Sequence, residues 1–351
     1  MRMEGGGITF TGGHGISVSG GQAVLSDFSI TRQGDTSKAT ATGTGVGVSN
    51  LGEVMMRGVN ISQVGMGVGM SGGLLVMDKG SITFKGKHGI NLIRGYALLN
   101  GVNITGPGSA TGIELGYGQV LMKDTTFTNV DKAITVTEGD VKMEGGEIEF
   151  KGEHGILLKQ GHALLTNVTM TYKGHEQNTT FLKVEATKVV NSKNERVLNT
   201  ADIRVTGIKI EGNGKGQGVY VTNGGRVMLQ SALLSNVING VSVANGEFWM
   251  KNGNIIFKGE HAVSLKTGNV VLKGVIMEYK GNNRVAKGAN TTSPNFIKVE
   301  GKGANLTAIK VMITGNEQGL GVKVANGGHV TLKQSHIPIQ PTIHIIHNLI
   351  L

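Results

Sequence analysis

Residues 80–92 read Gly-Ser-Ile-Thr-Phe-Lys-Gly-Lys-His-Gly-Ile-Asn-Leu, and they contain two short runs of alternating apolar residues. Ile82 and Phe84 alternate in the first run, and Ile90 and Leu92 alternate in the second. A period of two places every second side chain on the same face of a β-strand, whereas a helix needs a period near 3.6. The stretch therefore predicts two short strands separated by a glycine-containing corner.

The second run belongs to a repeat that extends along the chain. Its motif is a Gly or Ala, an aliphatic residue, any residue and a second aliphatic residue. The lead residues at 45, 67, 89, 112, 133 and 155 are 22, 22, 23, 21 and 22 residues apart, and those at 218, 240 and 262 are again 22 apart. Self-similarity at a period of this length indicates a solenoid, in which each repeat packs on its neighbours.

Each repeat contains three short strands, such as Gly89–Leu92, Ala97–Leu99 and Val102–Ile104. None of these strands has a hairpin partner nearby in the sequence, so each is expected to pair with its counterpart one repeat along the chain. We therefore predict an all-β fold, a right-handed parallel β-helix with three short strands per rung of about 22 residues and about thirteen rungs. Rungs of this kind stack about 4.8 Å apart.

The repeat covers residues 1–336, and no domain boundary is expected inside it, because neighbouring rungs share all the burial. Two degenerate rungs, at Phe181–Val184 and Phe296–Val299, are included in the count. Residues 337–351 depart from the pattern, since they hold two of the four prolines and no glycine. We predict that they form an off-pattern hydrophobic tail.

Extra residues interrupt the period near 171–200 and 279–303. The blocks 146–185 and 253–300 resemble each other, so we expect the two insertions at equivalent places on the solenoid. Loops on a rigid scaffold are where binding residues tend to lie, although two solvated loops without a ligand are the alternative. The candidate contacts for a polyanion or a receptor are the basic residues of the insertions: Lys280, Arg284, Lys287, Lys173, Lys188 and Lys193.

Composition and charge narrow the classes of partner. Glycine accounts for 58 of the 351 residues, which fits many tight turns, and the absence of cysteine excludes disulfides, Cys-ligated zinc and thiol catalysis. The 34 basic and 24 acidic residues leave a net charge of +10. Such a balance favours polyanions such as sulfated glycans, nucleic acid or an anionic membrane surface, and a generally solvated basic face is the alternative.

Neither a metal site nor a catalytic site is predicted. His14, His88, His154 and His261 occupy equivalent positions of their rungs, but they recur only every three or four rungs, about 14–19 Å apart. One zinc ion needs ligand nitrogens about 2 Å away and cannot join two of them. The seven aspartates fall at different phases of the rung and form no adjacent pair, so no carboxylate dyad for glycoside cleavage is expected. We predict no cofactor.

The units at 80–90, 97–109 and 145–150 resemble passenger domains of bacterial autotransporters, most closely the Bartonella group of inducible and angiogenic autotransporters. The resemblance implies a virulence protein that is secreted or displayed at the outer membrane. It also implies adhesion to host cells, or action on a host receptor such as an endothelial growth-factor receptor. Membrane attachment would use a β-barrel that this sequence lacks, and the export signals are missing as well, so a fragment of a longer protein is expected.

The leading expectation is a non-enzymatic passenger whose partner is a host cell-surface receptor, the matrix or a sulfated glycan, with no specific nucleic acid. The first alternative is a carbohydrate-active or polysaccharide-binding β-helix protein, because polysaccharide lyases and hydrolases also use this fold. The second alternative is a self-associating adhesin.

Overall fold

The structure is a computed structural model that describes residues 1–34, 42–190, 196–198, 200–281, 294–315, 319–337 and 349–350. The chain divides into two compact units, Met1–Gly174 and His175–Leu351. The described residues of both units form β-strands and turns without a helix, and therefore no helix among them could span a membrane.

The strands of the first unit mostly pair in parallel, one rung apart. They are β1 (Arg2–Glu4), β2 (Gly7–Phe10), β3 (His14–Ser19), β4 (Gln22–Ser26), β5 (Ser29–Arg32), β6 (Thr44–Ser49), β7 (Glu53–Met70), β8 (Leu74–Leu92), β9 (Gly95–Thr105), β10 (Thr111–Lys123), β11 (Thr126–Val130), β12 (Lys132–Glu144), β13 (Glu147–Phe150), β14 (His154–Leu158), β15 (Gly161–Thr166) and β16 (Thr169–Tyr172). The long strands β7 to β10 and β12 run around a corner of the rung.

The second unit has the same organisation. Its strands are β17 (Thr180–Glu185), β18 (Lys188–Val190), β19 (Arg196–Leu198), β20 (Ala201–Thr206), β21 (Lys209–Glu211), β22 (Gln217–Thr222), β23 (Gly225–Val237), β24 (Asn239–Val243), β25 (Gly246–Phe257), β26 (His261–Leu265), β27 (Gly268–Tyr279), β28 (Asn295–Glu300), β29 (Ala304–Ile309), β30 (Met312–Gly315), β31 (Leu320–Ala325), β32 (His329–Lys333) and β33 (Leu349–Ile350).

The predicted fold class is confirmed: the chain is a right-handed parallel β-helix of about 14 rungs. Ile113 and Leu115 lie in register with Ile90 and Leu92, and all four side chains are fully buried. Aliphatic ladders of this kind form the core, because the first, second and third strands of every rung each turn alternate residues inward. We call the sheets built by these strands the first, second and third sheets.

The two degenerate rungs are also confirmed. Leu182 of β17 lies in register with Val219 of β22, and Ile297 of β28 lies between Val263 and Val322. All these pairings are parallel and belong to the first sheet. The sequence of each degenerate rung thus keeps the aliphatic alternation even where the surrounding period fails.

The prediction that the two insertions occupy equivalent places is confirmed for residues 173–179, which connect a third strand to the next first strand, but it is wrong for the rest of the first insertion. Residues 186–200 connect the first strand to the second strand of their rung, and they include an antiparallel hairpin in which β18 pairs with β19. Residues 280–294 instead connect a third strand to the next first strand. The similarity between blocks 146–185 and 253–300 ends before the hairpin begins, so it carries no information about where that hairpin lies.

Most of the tail, residues 338–348 and 351, lies outside the described residues. Leu349 and Ile350 form β33, which pairs in parallel with Val330 and Thr331 of β32. The end of the tail therefore adds two residues to the second sheet, a pairing that the off-pattern sequence did not predict.

Candidate functional site

The structure describes three of the six predicted contact residues, Lys173, Lys188 and Lys280. Lys173 lies in the first unit and Lys280 in the second, and both side chains are exposed. Lys188 begins β18 of the antiparallel hairpin. Arg284, Lys287 and Lys193 lie outside the described residues.

Lys173 and Lys280 nevertheless occupy equivalent positions. Each follows the tyrosine that ends a third strand and precedes a glycine. The same three-residue motif, an aromatic residue followed by Lys and Gly, occurs five times: Phe84-Lys85-Gly86, Phe150-Lys151-Gly152, Tyr172-Lys173-Gly174, Phe257-Lys258-Gly259 and Tyr279-Lys280-Gly281. We call the turn between a third strand and the next first strand the lysine corner.

The aromatic residue of the motif anchors the corner in the core. The Phe257 ring packs against Tyr279 at a centroid distance of 5.2 Å and against Phe296 at 5.3 Å. The backbone N–H of Lys280 donates to the Phe257 carbonyl oxygen at 2.8 Å, which continues the parallel pairing by one residue. Because the aromatic side chain points inward, the lysine that follows it must point outward.

The glycine of the motif is required by the tightness of the turn. A Cβ atom at Gly281 would collide with the Tyr279 hydroxyl group and lie 2.5 Å from the Lys258 carbonyl oxygen. A Cβ at Gly174 would collide with the Lys151 carbonyl oxygen in the same way. The corner backbone therefore passes close to the rung below, and this close approach fixes where the lysine leaves the surface.

In the second unit the lysine corner carries a basic cluster. Phe257 and Tyr279 are in register, so Lys258 and Lys280 follow on successive rungs, about 4.8 Å apart along the axis. Lys258 Nζ lies over the turn at Gly214, and Lys215 of that turn donates from Nζ to the His175 carbonyl oxygen. Lys215, Lys258 and Lys280 thus share one side of this unit.

Acidic residues accompany this cluster. Lys280 Nζ is 3.2 Å from Glu278 Oε1, and the side chain of Glu260 is exposed two residues after Lys258. The ion pair at Lys280 is exposed to solvent, where such pairs contribute little, so the lysine can exchange this partner for another anion. Sequence reasoning missed Lys215 and Lys258, because it searched the insertions rather than the regular rungs. The recurring aromatic-Lys-Gly motif was the signal that could have found Lys258.

Two of the four repeated histidines form hydrogen bonds to a neighbouring rung. His154 Nε2 and the Thr135 hydroxyl share a hydrogen bond of 3.0 Å, and His261 Nε2 and the Ser242 hydroxyl share one of 2.8 Å, each between neighbouring rungs. Burial, helped by Lys298, lowers the pKa of His261 to about 4, so its ring is neutral near pH 7. Within the described ranges, no group of three or more acidic or histidine side chains is arranged to hold a metal ion.

A second charged cluster lies in the first unit around Lys132. Its Nζ is 2.7 Å from Glu153 Oε2, and the hydrogen bond to Glu153 raises the pKa of Lys132. Burial raises the pKa of Glu114, and this effect is larger than the lowering caused by the charges of Lys159 and Lys132. Burial also raises the pKa of Asp131. The sequence did not reveal this grouping, because its members come from three rungs.

A scan of protein-family models, a search of curated proteins and a search of solved structures each found no match to the chain.

Proposed function

We propose that this chain is a non-enzymatic binding protein of the cell surface or the extracellular space, and that it attaches to sulfated glycans through the lysine corner. The proposal rests on Lys258 and Lys280, whose side chains project from successive rungs of the second unit. Lys215 lies on the same side of this unit. Lysine presents a compact, mobile positive charge, which suits an anion that offers many equivalent groups.

A linear polyanion suits this corner because both partners repeat. Lys258 and Lys280 stand on successive rungs about 4.8 Å apart, and a sulfated glycan presents negative groups along its length. The corner backbone is held by the aromatic anchor and by the tight turn at Gly281, so the protein loses little freedom when it binds. The net charge of +10 adds long-range attraction.

The resemblance of the repeats to autotransporter passengers suggests where such binding would act. A passenger displayed outside a bacterial cell meets sulfated glycans on host cells and in the matrix, and a host receptor could engage the same exposed side. Adhesion in this setting, with a role in virulence, is the function that we infer.

Binding to heparin should weaken as salt rises, because each lysine contact releases counterions from the polyanion. For the three lysines of the corner we expect a loss of affinity of roughly tenfold or more between about 50 and 200 mM salt, taking the sign and scale from nucleic acids. Fluorescence titration of the full chain with labelled heparin measures this effect, and desulfated heparin is the control. Equal affinity for the desulfated polymer would contradict the proposal.

The same mixtures of protein and polysaccharide also test the alternative that the chain is a carbohydrate-active enzyme. The cluster of Glu114, Asp131 and Glu153 around Lys132 is the feature that favours this alternative. We expect the length of the recovered polysaccharide to be unchanged after long incubation. Shortened chains, lost again in the variant Glu114→Gln, would replace the binding function with a catalytic one.

A further inference from the structure

The second sheet of the first unit has an outer face with an apolar stripe. In a β-strand the side chains that point away from the core should be polar when they face water. Here the middle outward column is apolar in six of seven successive rungs. This middle column begins at Arg2 in the first rung, and the seven rungs that follow contribute Val24, Met55, Val76, Leu98, Leu121, Lys142 and Leu164.

The stripe is open to solvent in the single chain. Met55 and Leu98 are each 40% exposed and Leu164 is 43% exposed, and Tyr96 beside Leu98 is 58% exposed. Single exposed apolar side chains are ordinary, but an apolar row that continues over the five rungs from Val24 to Leu121 marks a surface that contacts another molecule.

A charged column runs beside the stripe, two residues further along each strand. It begins at Glu4, and the seven rungs that follow contribute Ser26, Arg57, Asp78, Asn100, Lys123, Glu144 and Thr166. Starting from Asn100, the column reads Asp78 and then Arg57 in one direction, and Lys123 and then Glu144 in the other. At one rung and at two rungs from Asn100 the charges on the two sides are therefore opposite in sign.

We propose that the occupant of this face is a second copy of the chain, related by a two-fold axis that runs along the strands of the central rung, Gly95–Asn100. This axis places each column of one copy opposite the same column of the second copy, with the rungs in the reverse order. Arg57 then faces Glu144 of the second copy, and Asp78 faces Lys123 of the second copy. Each pair occurs twice, as a symmetric interface requires.

The apolar stripe fits the same arrangement. Leu98 faces its own counterpart, Val76 faces Leu121, and Val24 faces Leu164, so only Met55 meets a charged residue, Lys142. Two sheets that pack face to face lie about 10 Å apart, which lets these side chains meet at the centre. The charge pattern therefore selects the partner and the stripe supplies the apolar contact.

The third outward column contains one unfavourable pair, in which Glu53 faces Asp140 of the second copy. Both carboxylates already accept hydrogen bonds in their own chain. Gln22 Nε2 donates to Glu53 at 2.6 Å, and the backbone N–H of His162 donates to Asp140 at 3.1 Å. The alternative is a two-fold axis along the stacking direction, which would keep the rungs in the same order and exchange the two outer columns. It is less favourable, because Asp140 would face Glu144 and only Glu53 and Arg57 would form a pair of opposite charge.

The size of the face limits the strength of the dimer. Five residues along each strand and seven rungs cover roughly 17 by 34 Å, or about 1,200 Å² over both copies. This area is at the lower end for specific interfaces, so we expect a reversible dimer with micromolar affinity.

Charge exchange at Arg57 and Glu144 tests the arrangement. Within one chain these residues lie four rungs apart, about 19 Å, so they do not interact directly. We expect Arg57→Glu or Glu144→Arg alone to weaken dimerisation roughly tenfold, since each places like charges together twice. The double variant R57E/E144R should return to within about threefold of the original affinity. Sedimentation equilibrium of the full chain without glycan measures all four proteins.

The control is Glu147→Arg, which makes the same charge change three residues away on the exposed face of the third sheet. It should leave dimerisation unchanged. A wild-type chain that stays monomeric at high micromolar concentration would overturn the proposal. The proposal would also be overturned if the double variant lost as much dimer affinity as the two single variants together, because only the antiparallel dimer couples these two positions.

Discussion

Replacing Phe127 with alanine is expected to lower the free energy of unfolding by about 3–5 kcal/mol. Phe127 is fully buried and lies in register between Ile104 and Ile148 of the neighbouring rungs. A solenoid has no other layer that could move into the space of the ring, so a cavity would remain between the two isoleucines. Urea unfolding of the full chain, followed by circular dichroism, measures the loss.

The matched control is Thr126→Ala, one residue earlier on the outer face of the same strand. Its effect should stay within about 0.5 kcal/mol, as for most surface substitutions. Similar losses for Phe127→Ala and Thr126→Ala would mean that the third strand does not alternate between core and solvent.

Replacing Gly139 with alanine should also be strongly destabilising, by about 2–6 kcal/mol. Gly139 stands in a stack with Gly118 and Gly161 at the corner before the second strand, and its φ of 139° is one that side chains rarely adopt. A Cβ would collide with the Gly118 carbonyl oxygen. The backbone strain contributes about 1–3 kcal/mol and the forced displacement about 1–3 kcal/mol more.

Gly12→Ala provides the comparison, because a Cβ at Gly12 meets no atom within 4 Å and its backbone is not strained. We expect its unfolding midpoint to match that of the original chain. If Gly139→Ala is equally harmless, then the backbones of neighbouring rungs do not stack closely at this corner.

The fold could be predicted because one physical rule repeats along the whole chain. The alternation of Ile90 with Leu92 and of Ile113 with Leu115 fixes which side chains are buried, and the spacing of about 22 residues fixes which strands pair. The hairpin of β18 and β19 could not be predicted in this way. The hairpin lies where the sequence repeat is interrupted, and the repeat does not indicate at which corner of the rung the extra residues are inserted.

The candidate site was less accessible from the sequence. The sequence pointed to Lys280 because this residue begins an insertion. Lys258 lies in a regular rung, and only the strand register shows that it stands beside Lys280. The proposed pairing of Arg57 with Glu144 of a second copy illustrates the same limit. Their relation depends on four rungs in register, and no local sequence pattern contains it.

The proposed binding of sulfated glycans by the lysine corner of the second unit is tested most directly by one comparison of charge reversals. The double variant K258E/K280E should weaken heparin binding by roughly tenfold or more, since each exposed ion pair contributes about 0.2–1 kcal/mol and reversal adds repulsion. The control K251E/K273E changes the same charge on the same two rungs, where Lys251 and Lys273 are in register on the second sheet.

Heparin affinity should be measured for both double variants at the same low salt, with circular dichroism to verify that each is folded. The account predicts a large loss for the corner pair and a change of no more than about threefold for the second-sheet pair. Equal losses would mean that the net charge of the chain, and not the lysine corner, determines binding. An unchanged affinity in both variants would contradict glycan binding by this unit.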